Sequence, residues 1–335
     1  MFDFRDLDRP IIGAPMAGGP STPELAAAVT NAGGLGFLAA GYRTPEDLAA
    51  QLSAVSALTG GPIGVNLFVP DAFQPDPALL DAYVASLRPE TEALGVEVGQ
   101  PRYDDDGWDA KLSLVLDARP AAVSFTFGCP DSQVLKRMAD AGILPIVTVT
   151  TSAEAEFAVA AGARALAVQG PGAGGHRGTL DQRSVPTDDR LEDTLAAVRS
   201  VTAVPLAAGG GVSGPSDVVR LRGAGADAVQ VGTALLLADE AGTNPLHRAV
   251  LAGGQFAGTS LTRAYTGRYA RGLTNRFILE HSDAPAGYPH LHYATAPLRK
   301  AAVAQGNADV AHLWAGTGFA SARPEPAAKI VEALA

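Results

Sequence analysis

The chain has 335 residues, which suits one large α/β barrel with insertions or two ordinary domains, and either can bury a sizeable core. At 47% hydrophobic and 18% charged it reads as globular, and a formal charge of −10 argues against nucleic acid and acidic membrane surfaces as partners. Its one cysteine, Cys129, excludes an internal disulfide and suits a reducing cytoplasm.

The N-terminal stretch MFDFRDLDRP carries acidic residues and no apolar h-region, so no signal peptide is expected. No apolar run approaches the roughly 20 residues that a membrane helix needs. From Pro10 onward, short apolar runs recur, each bounded by Gly or Pro. They are Pro10–Pro15, Gly34–Ala39, Pro62–Phe68, Ala121–Gly128, Leu144–Val149, Ala165–Gly170, Pro205–Gly210 and Ala228–Thr233. They do not alternate, which is how strands of a parallel sheet buried on both faces read. Eight such runs are the number that a closed (β/α)8 barrel requires.

Alanine-rich amphipathic stretches lie between the runs. Ser21-Thr22-Pro23-Glu24 and Thr44-Pro45-Glu46-Asp47 each offer a hydroxyl cap, an early proline and early acids, the signals of a helix start. Ala32-Gly33, Ala141-Gly142, Ala161-Gly162 and Gly223-Ala224-Gly225 each precede the next run, where a glycine can adopt φ > 0 and end the helix. This alternation predicts a (β/α)8 TIM barrel over about residues 10–238, with right-handed crossovers. Two units are longer than the rest. Val69–Pro120 is an insertion after the third strand, and its Asp104-Asp105-Asp106 reads as a solvated loop; Pro171–Arg190 follows the sixth strand. After about Asp239 the strand pattern stops, so 239–335 is expected to form helices and loops outside the barrel or over its mouth. No low-complexity linker divides the chain, so 1–335 reads as one domain.

Active sites of such barrels form from the loops after the strands. Gly209-Gly210-Gly211 and Gly232-Thr233, after the seventh and eighth runs, let backbone N–H groups approach a phosphate beside a helix N-terminus. Ala14-Pro15-Met16 makes a stiff ledge for a planar ring, or an ordinary turn. Asn66, Gln169 and Gln230 are amides in apolar strands, costly unless hydrogen-bonded and suited to a heterocycle edge; Gln230 fits an internal core network equally well. His176, flanked by glycines in AGGHRGT, is the candidate general base. Cys129 reads as a small apolar filler, and the six histidines show no metal-ligand spacing, so no metal is expected.

At these motifs the sequence resembles the nitronate monooxygenase family over nearly the whole chain: GAPMAGGPSTPELAAAVTNAGGLGFLAAGY from Gly13, GVNLF from Gly64, FTFG from Phe125, AGGHRGT from Ala173, then AAGGG and QVGTALL. The resemblance implies an FMN-binding TIM barrel that oxidises alkyl nitronates with O2 to a carbonyl compound and nitrite. It implies that Ala14, Pro15, Met16, Asn66, Gln169, Gly174, Gly175, Gly209, Gly210, Gly211, Gln230, Gly232 and Thr233 contact FMN and that His176 is the base. Relatives carry an aromatic-plus-basic stretch near the substrate, which makes Tyr288, Tyr293 and Lys300 substrate candidates against a reading of plain packing. One departure is Gly172, where many relatives have glutamate. The rivals are an FMN-dependent NAD(P)H reductase of an enoyl thioester or quinone, a flavin-free phosphate-binding lyase or isomerase, and a ligand-binding barrel without turnover. The implied partners are a small-molecule substrate and O2 in the cytoplasm, with a homodimer through an outer helix or the tail left open.

Overall fold

Each of the eight apolar runs supplies one strand of a parallel sheet in the computed structural model, which describes residues 1–335. In chain order these are β1 (Ile11–Gly13), β2 (Gly36–Ala39), β3 (Ile63–Phe68), β4 (Ala122–Thr126), β5 (Leu144–Val149) and β6 (Ala165–Gln169). A two-residue strand outside the barrel, β7 (Gly175–His176), precedes β8 (Leu206–Gly209) and β9 (Ala228–Val231). The ladder runs β1-β9-β8-β6-β5-β4-β3-β2. It closes between β1 and β2, where the Gly13 amide donates to the Leu35 carbonyl at 2.9 Å and the Leu35 amide to that of Ile11 at 3.0 Å. The fold is a (β/α)8 barrel.

Strand periodicity sorts the core into an inside and an outside. Ile12, Phe37, Ile146, Ala167 and Ala207 point inward and pack with Phe4, which plugs the N-terminal end of the barrel. Their neighbours Ile11, Leu38, Val147, Val168 and Ala208 face the helices. Toward the C-terminal end of the strands, the inward positions become polar or small: Asn66 on β3, Ser124 and Thr126 on β4, Thr148 on β5, Gln169 on β6 and Gln230 on β9. The same inward period thus yields a dry floor and a polar upper layer.

The helix starts form as the sequence predicts. Thr22 caps helix 23–31, with its hydroxyl oxygen accepting from the Leu25 amide at 2.9 Å and its proton going to the Glu240 carbonyl at 2.6 Å. Thr44 caps helix 45–58 in the same way. Replacing Thr22 with alanine removes both bonds, and urea unfolding should report a loss of about 1 kcal/mol. An unchanged midpoint would contradict this role. Gly33, Gly142, Gly162 and Gly225 hold φ of +88°, +83°, +117° and +107° just beyond helix ends, which explains why glycine recurs there.

Two expectations need correction. Residues 239–335 are not only helices and loops, because β10 (Thr259–Thr262) and β11 (Ala270–Leu273) form an antiparallel pair that continues onto β7. Four mixed residues, or the pair Gly-His, carry no readable period, so only tertiary pairing reveals these strands. Nor is Asp104-Asp105-Asp106 simply a solvated loop: Asp105 is exposed, but Asp106 is largely covered. Its carboxylate meets buried Lys111 at 2.7 Å and accepts from the Tyr42 amide at 2.9 Å, and Lys111 also donates to the Ala40 carbonyl. The third acid of the run therefore ties the insertion to the loop after β2.

The insertion and the C-terminal residues build a second core over the barrel mouth. Leu80, Tyr83, Leu87 and Leu94 pack with Phe277, Leu291, Ala294 and Leu298, while Arg276 grips Glu90 at 2.6 and 2.8 Å. The last helix, Ala327–Leu334, returns to the barrel side and joins the core formed by helix 23–31. No helix is long and apolar enough to cross a membrane.

Candidate active site

The loops after the barrel strands surround a cavity of about 610 Å³ that is closed on one side by the C-terminal residues. Its volume is in the range of sites that bury a cofactor or small ligand. Ala14, Pro15, Met16, Asn66, Gln169, Gly174, Gly175, Gly209, Gly210, Gly211, Gln230, Gly232 and Thr233 all border it, together with His176 and Lys300. Tyr288 is buried behind its wall. Tyr293 lies away from the cavity, its ring covered by the Arg102 guanidinium at 3.8 Å.

The glycines after β8 have a steric reason to be glycine. Gly210 and Gly211 sit at φ +136° and +77°. A Cβ on Gly210 would lie 3.0 Å from the Gly170 carbonyl oxygen and 3.1 Å from the Ala173 nitrogen; one on Gly211 would lie 2.6 Å from Thr317 Oγ1. Loop 170–175 and the chain near Thr317 therefore pack directly on this turn. The Gly211 and Val212 amides have no acceptor within the chain, and helix 215–223 begins just beyond without a side-chain cap. Free amides at a helix N-terminus are the donor set that a phosphate requires. Gly172 belongs to the same contact. A Cβ there would lie 2.6 Å from Thr317 Oγ1 and 3.1 Å from Gly211, while its carbonyl accepts from the Thr317 amide at 3.0 Å. Any side chain at this position would have to turn the Thr317 hydroxyl aside and ease the Gly211 backbone by a few tenths of an ångström.

The three amides divide in use. Gln169 is engaged at both ends, donating to the His176 carbonyl at 3.0 Å and accepting from the Gly178 amide at 2.8 Å, so it shapes the histidine loop. Asn66 donates to Ser124 Oγ and Thr126 Oγ1, both at 2.9 Å, which leaves its side-chain Oδ1 without a protein partner. The Gln230 side-chain amide makes no hydrogen bond within the chain, and the residue borders the cavity.

His176 is placed by β7, which pairs it with Ala270 of β11. Phe127, Trp314 and Tyr288 enclose its ring, with centroids at 5.4, 5.6 and 5.9 Å. Its Nε2 is 2.9 Å from the Thr266 hydroxyl. Burial, with help from the Arg268 and Arg299 guanidiniums, pushes its pKa down to about 3, so the ring is neutral near pH 7. Thr266, His312 and Trp314 at this cavity carried no sequence signal, and His292 and Arg299 lie in the aromatic-plus-basic stretch without having been singled out; all five come from the C-terminal residues. His292 stacks on Tyr42 at 4.1 Å and 6°. No carboxylate borders the cavity, whereas Arg299 and Lys300 do, so its field favours an anion. Cys129 is half-buried and burial raises its thiol to about 11, which agrees with a filler rather than a nucleophile.

Burial depresses all six histidines, His247 to about 4 and His292 and His312 well below the ordinary value. Unfolded histidines titrate near 6.5, so between that value and the folded one the unfolded chain binds more protons. The stability from neutral burial is complete above about pH 6.5 and is lost as pH falls toward the folded values. Calorimetry should show Tm falling as pH drops from about 6.5 to 4; a flat Tm over that window would contradict it.

A barrel with a glycine cradle after β8 and β9, an anion-favouring mouth and a neutral histidine defines an enzyme that anchors a phosphorylated cofactor. A family profile described as "Nitronate monooxygenase" matches residues 4–335. The chain is 40% identical to the nitronate monooxygenase of Pseudomonas aeruginosa, covering 98% of this chain and 95% of that one. It is 36% identical to that of Paraburkholderia phytofirmans, covering 98% and 92%. Among solved structures, a nitroalkane oxidase from Streptomyces ansochromogenes superposes with a TM-score of 0.93 at 46% identity, covering 98% and 95%. FabK from Thermotoga maritima shares the fold at 22% identity and a TM-score of 0.75, covering 99% and 93%. The chain belongs to the nitronate monooxygenase family; it is a flavin-dependent oxidoreductase, and its cofactor is FMN.

Proposed function

We propose that this chain uses O2 to oxidise alkyl nitronates, and nitroalkanes once their α-proton has been removed, to a carbonyl compound and nitrite. The observation that carries this reading is one cavity holding the glycine cradle, two cationic side chains, no carboxylate and a neutral His176. The fit to FMN rests on the amides of Gly211 and Val212, which lack acceptors, and on a turn that a Cβ would fill. Gly209, Gly210, Gly211, Gly232 and Thr233 would hold the phosphate. Ala14, Pro15 and Met16 would support the ring, with Asn66 and Gln230 at its polar edge and Gly174 and Gly175 giving close approach. When bound, FMN supplies the redox chemistry between the nitro compound and O2.

The protein's own part is binding, orientation and proton handling. Arg299 and Lys300 make no carboxylate ion pair, so they can draw an anionic substrate into the mouth. Phe68, Phe127 and Tyr288 form an apolar cluster beside His176 that would exclude water from the reacting carbon. Tyr288 would thus act by packing, while Tyr293 has no role at the cavity. We extend the reading to a cytoplasmic location, which suits a chain with one cysteine, and it allows a homodimer built through an outer helix or the tail. Anaerobic mixing with propionate 3-nitronate, NADH or NADPH tests it through the flavin absorbance. Bleaching by the nitronate is expected, and bleaching by nicotinamide alone would replace this reading with a reductase.

A further inference from the structure

The contacts around His176 decide which of its nitrogens carries the proton. The Thr266 hydroxyl lies 2.9 Å from His176 Nε2 and 3.2 Å from the Arg268 carbonyl oxygen, and the Arg268 amide approaches the same Oγ1 at 3.4 Å. A threonine hydroxyl has one proton to donate. The Arg268 carbonyl receives no other hydrogen bond within the chain, and a buried carbonyl without a donor is costly. If the hydroxyl donates to that carbonyl, its oxygen must accept from the imidazole. Thr266 is itself buried, at 1% exposure, so no solvent is needed to satisfy it. His176 Nδ1, by contrast, has no protein partner and is open to the cavity.

We infer that Thr266 is a positioning residue that fixes His176 as the Nε2–H tautomer and leaves the Nδ1 lone pair facing the substrate. The inference rests on the proposed nitronate and nitroalkane chemistry for its substrate. A lone pair aimed at the cavity has nothing to offer a preformed nitronate, which is already an anion. It is what a neutral nitroalkane requires: the α-proton moves to Nδ1, the C–H electron pair forms the C=N bond, and the nitro group becomes the nitronate. The imidazolium and nitronate so formed are an ion pair, which offsets the unfavourable surroundings of the charged ring. Thr266 therefore matters more for the nitroalkane than for the nitronate.

The test is direct observation of the tautomer together with a comparison of substrates. In FMN-loaded protein with ¹⁵N-labelled histidine, the His176 resonances are identified by their loss in His176→Gln, and the proton-bearing nitrogen should be Nε2. Thr266→Ser should keep that tautomer and the wild-type ratio of nitroalkane to nitronate turnover. Thr266→Val should lower the ratio of nitroalkane to nitronate turnover by about tenfold or more. An Nδ1–H tautomer in the wild type would overturn the inference, as would Thr266→Val with an unchanged substrate ratio. A wild-type enzyme with the Nε2–H tautomer and no turnover of either substrate would sink the proposed function while leaving the tautomer assignment intact.

Discussion

Replacing His176 with alanine is expected to lower kcat/KM for a neutral nitroalkane by about two to four orders of magnitude, the range that a positioned general base contributes. Turnover of a preformed nitronate should fall far less, because no proton need be removed. FMN should remain bound, since the phosphate cradle belongs to β8 and β9 and the histidine to β7, on a loop held by Gln169. The pH profile adds a second check. With its pKa pushed down to about 3, His176 stays neutral from pH 5 to 8, so kcat/KM for the nitroalkane should show no acidic limb near 6.5. A limb at that pH that disappears in the alanine variant would mean an ordinary, solvated histidine. Equal losses for both substrates would mean that His176 places the anion rather than removing a proton.

Gly210→Ala is expected to weaken FMN binding by about 5- to 150-fold, the equivalent of roughly 1–3 kcal/mol of backbone strain. Two causes act together. The residue holds φ +136°, and its Cβ would press on the Gly170 carbonyl at 3.0 Å and on the Ala173 nitrogen at 3.1 Å. The turn can relieve both only by moving away from loop 170–175, which carries Gly174 and Gly175 at the same cavity. Gly142→Ala is the control: φ is +83° there, but a Cβ meets nothing within 4 Å and the site is remote from the cavity. It should lower stability and leave FMN affinity unchanged. Flavin fluorescence titration of apoprotein measures both, and equal affinity in the two variants would remove the cradle from the FMN site.

The barrel was legible in the sequence because its strands are buried on both faces. Burial of that kind leaves apolar runs such as LPIVTV and ALAVQG, and eight of them between capped, glycine-terminated helices admit few other folds. The glycine cradle and the histidine loop were legible for a related reason, since close backbone approach and φ > 0 demand a residue that stands out in any chain. Motif resemblance then supplied the flavin, which spacing alone would have left as some phosphate-bearing ligand. What the tertiary structure alone decided is everything contributed from outside the barrel repeat. Strand β7 exists only because β11 lies beside it, and Thr266, Arg299 and His312 reach the cavity through a fold-over of 239–335 that has no period to read. The protonation of His176 belongs to the same class. Its loop and its glycines are local facts, but burial, two guanidiniums and a threonine hydroxyl ninety residues away set its charge and its tautomer. Local sequence determines backbone conformation through sterics and period, whereas electrostatics at a site sums over whatever the fold brings within a few ångströms.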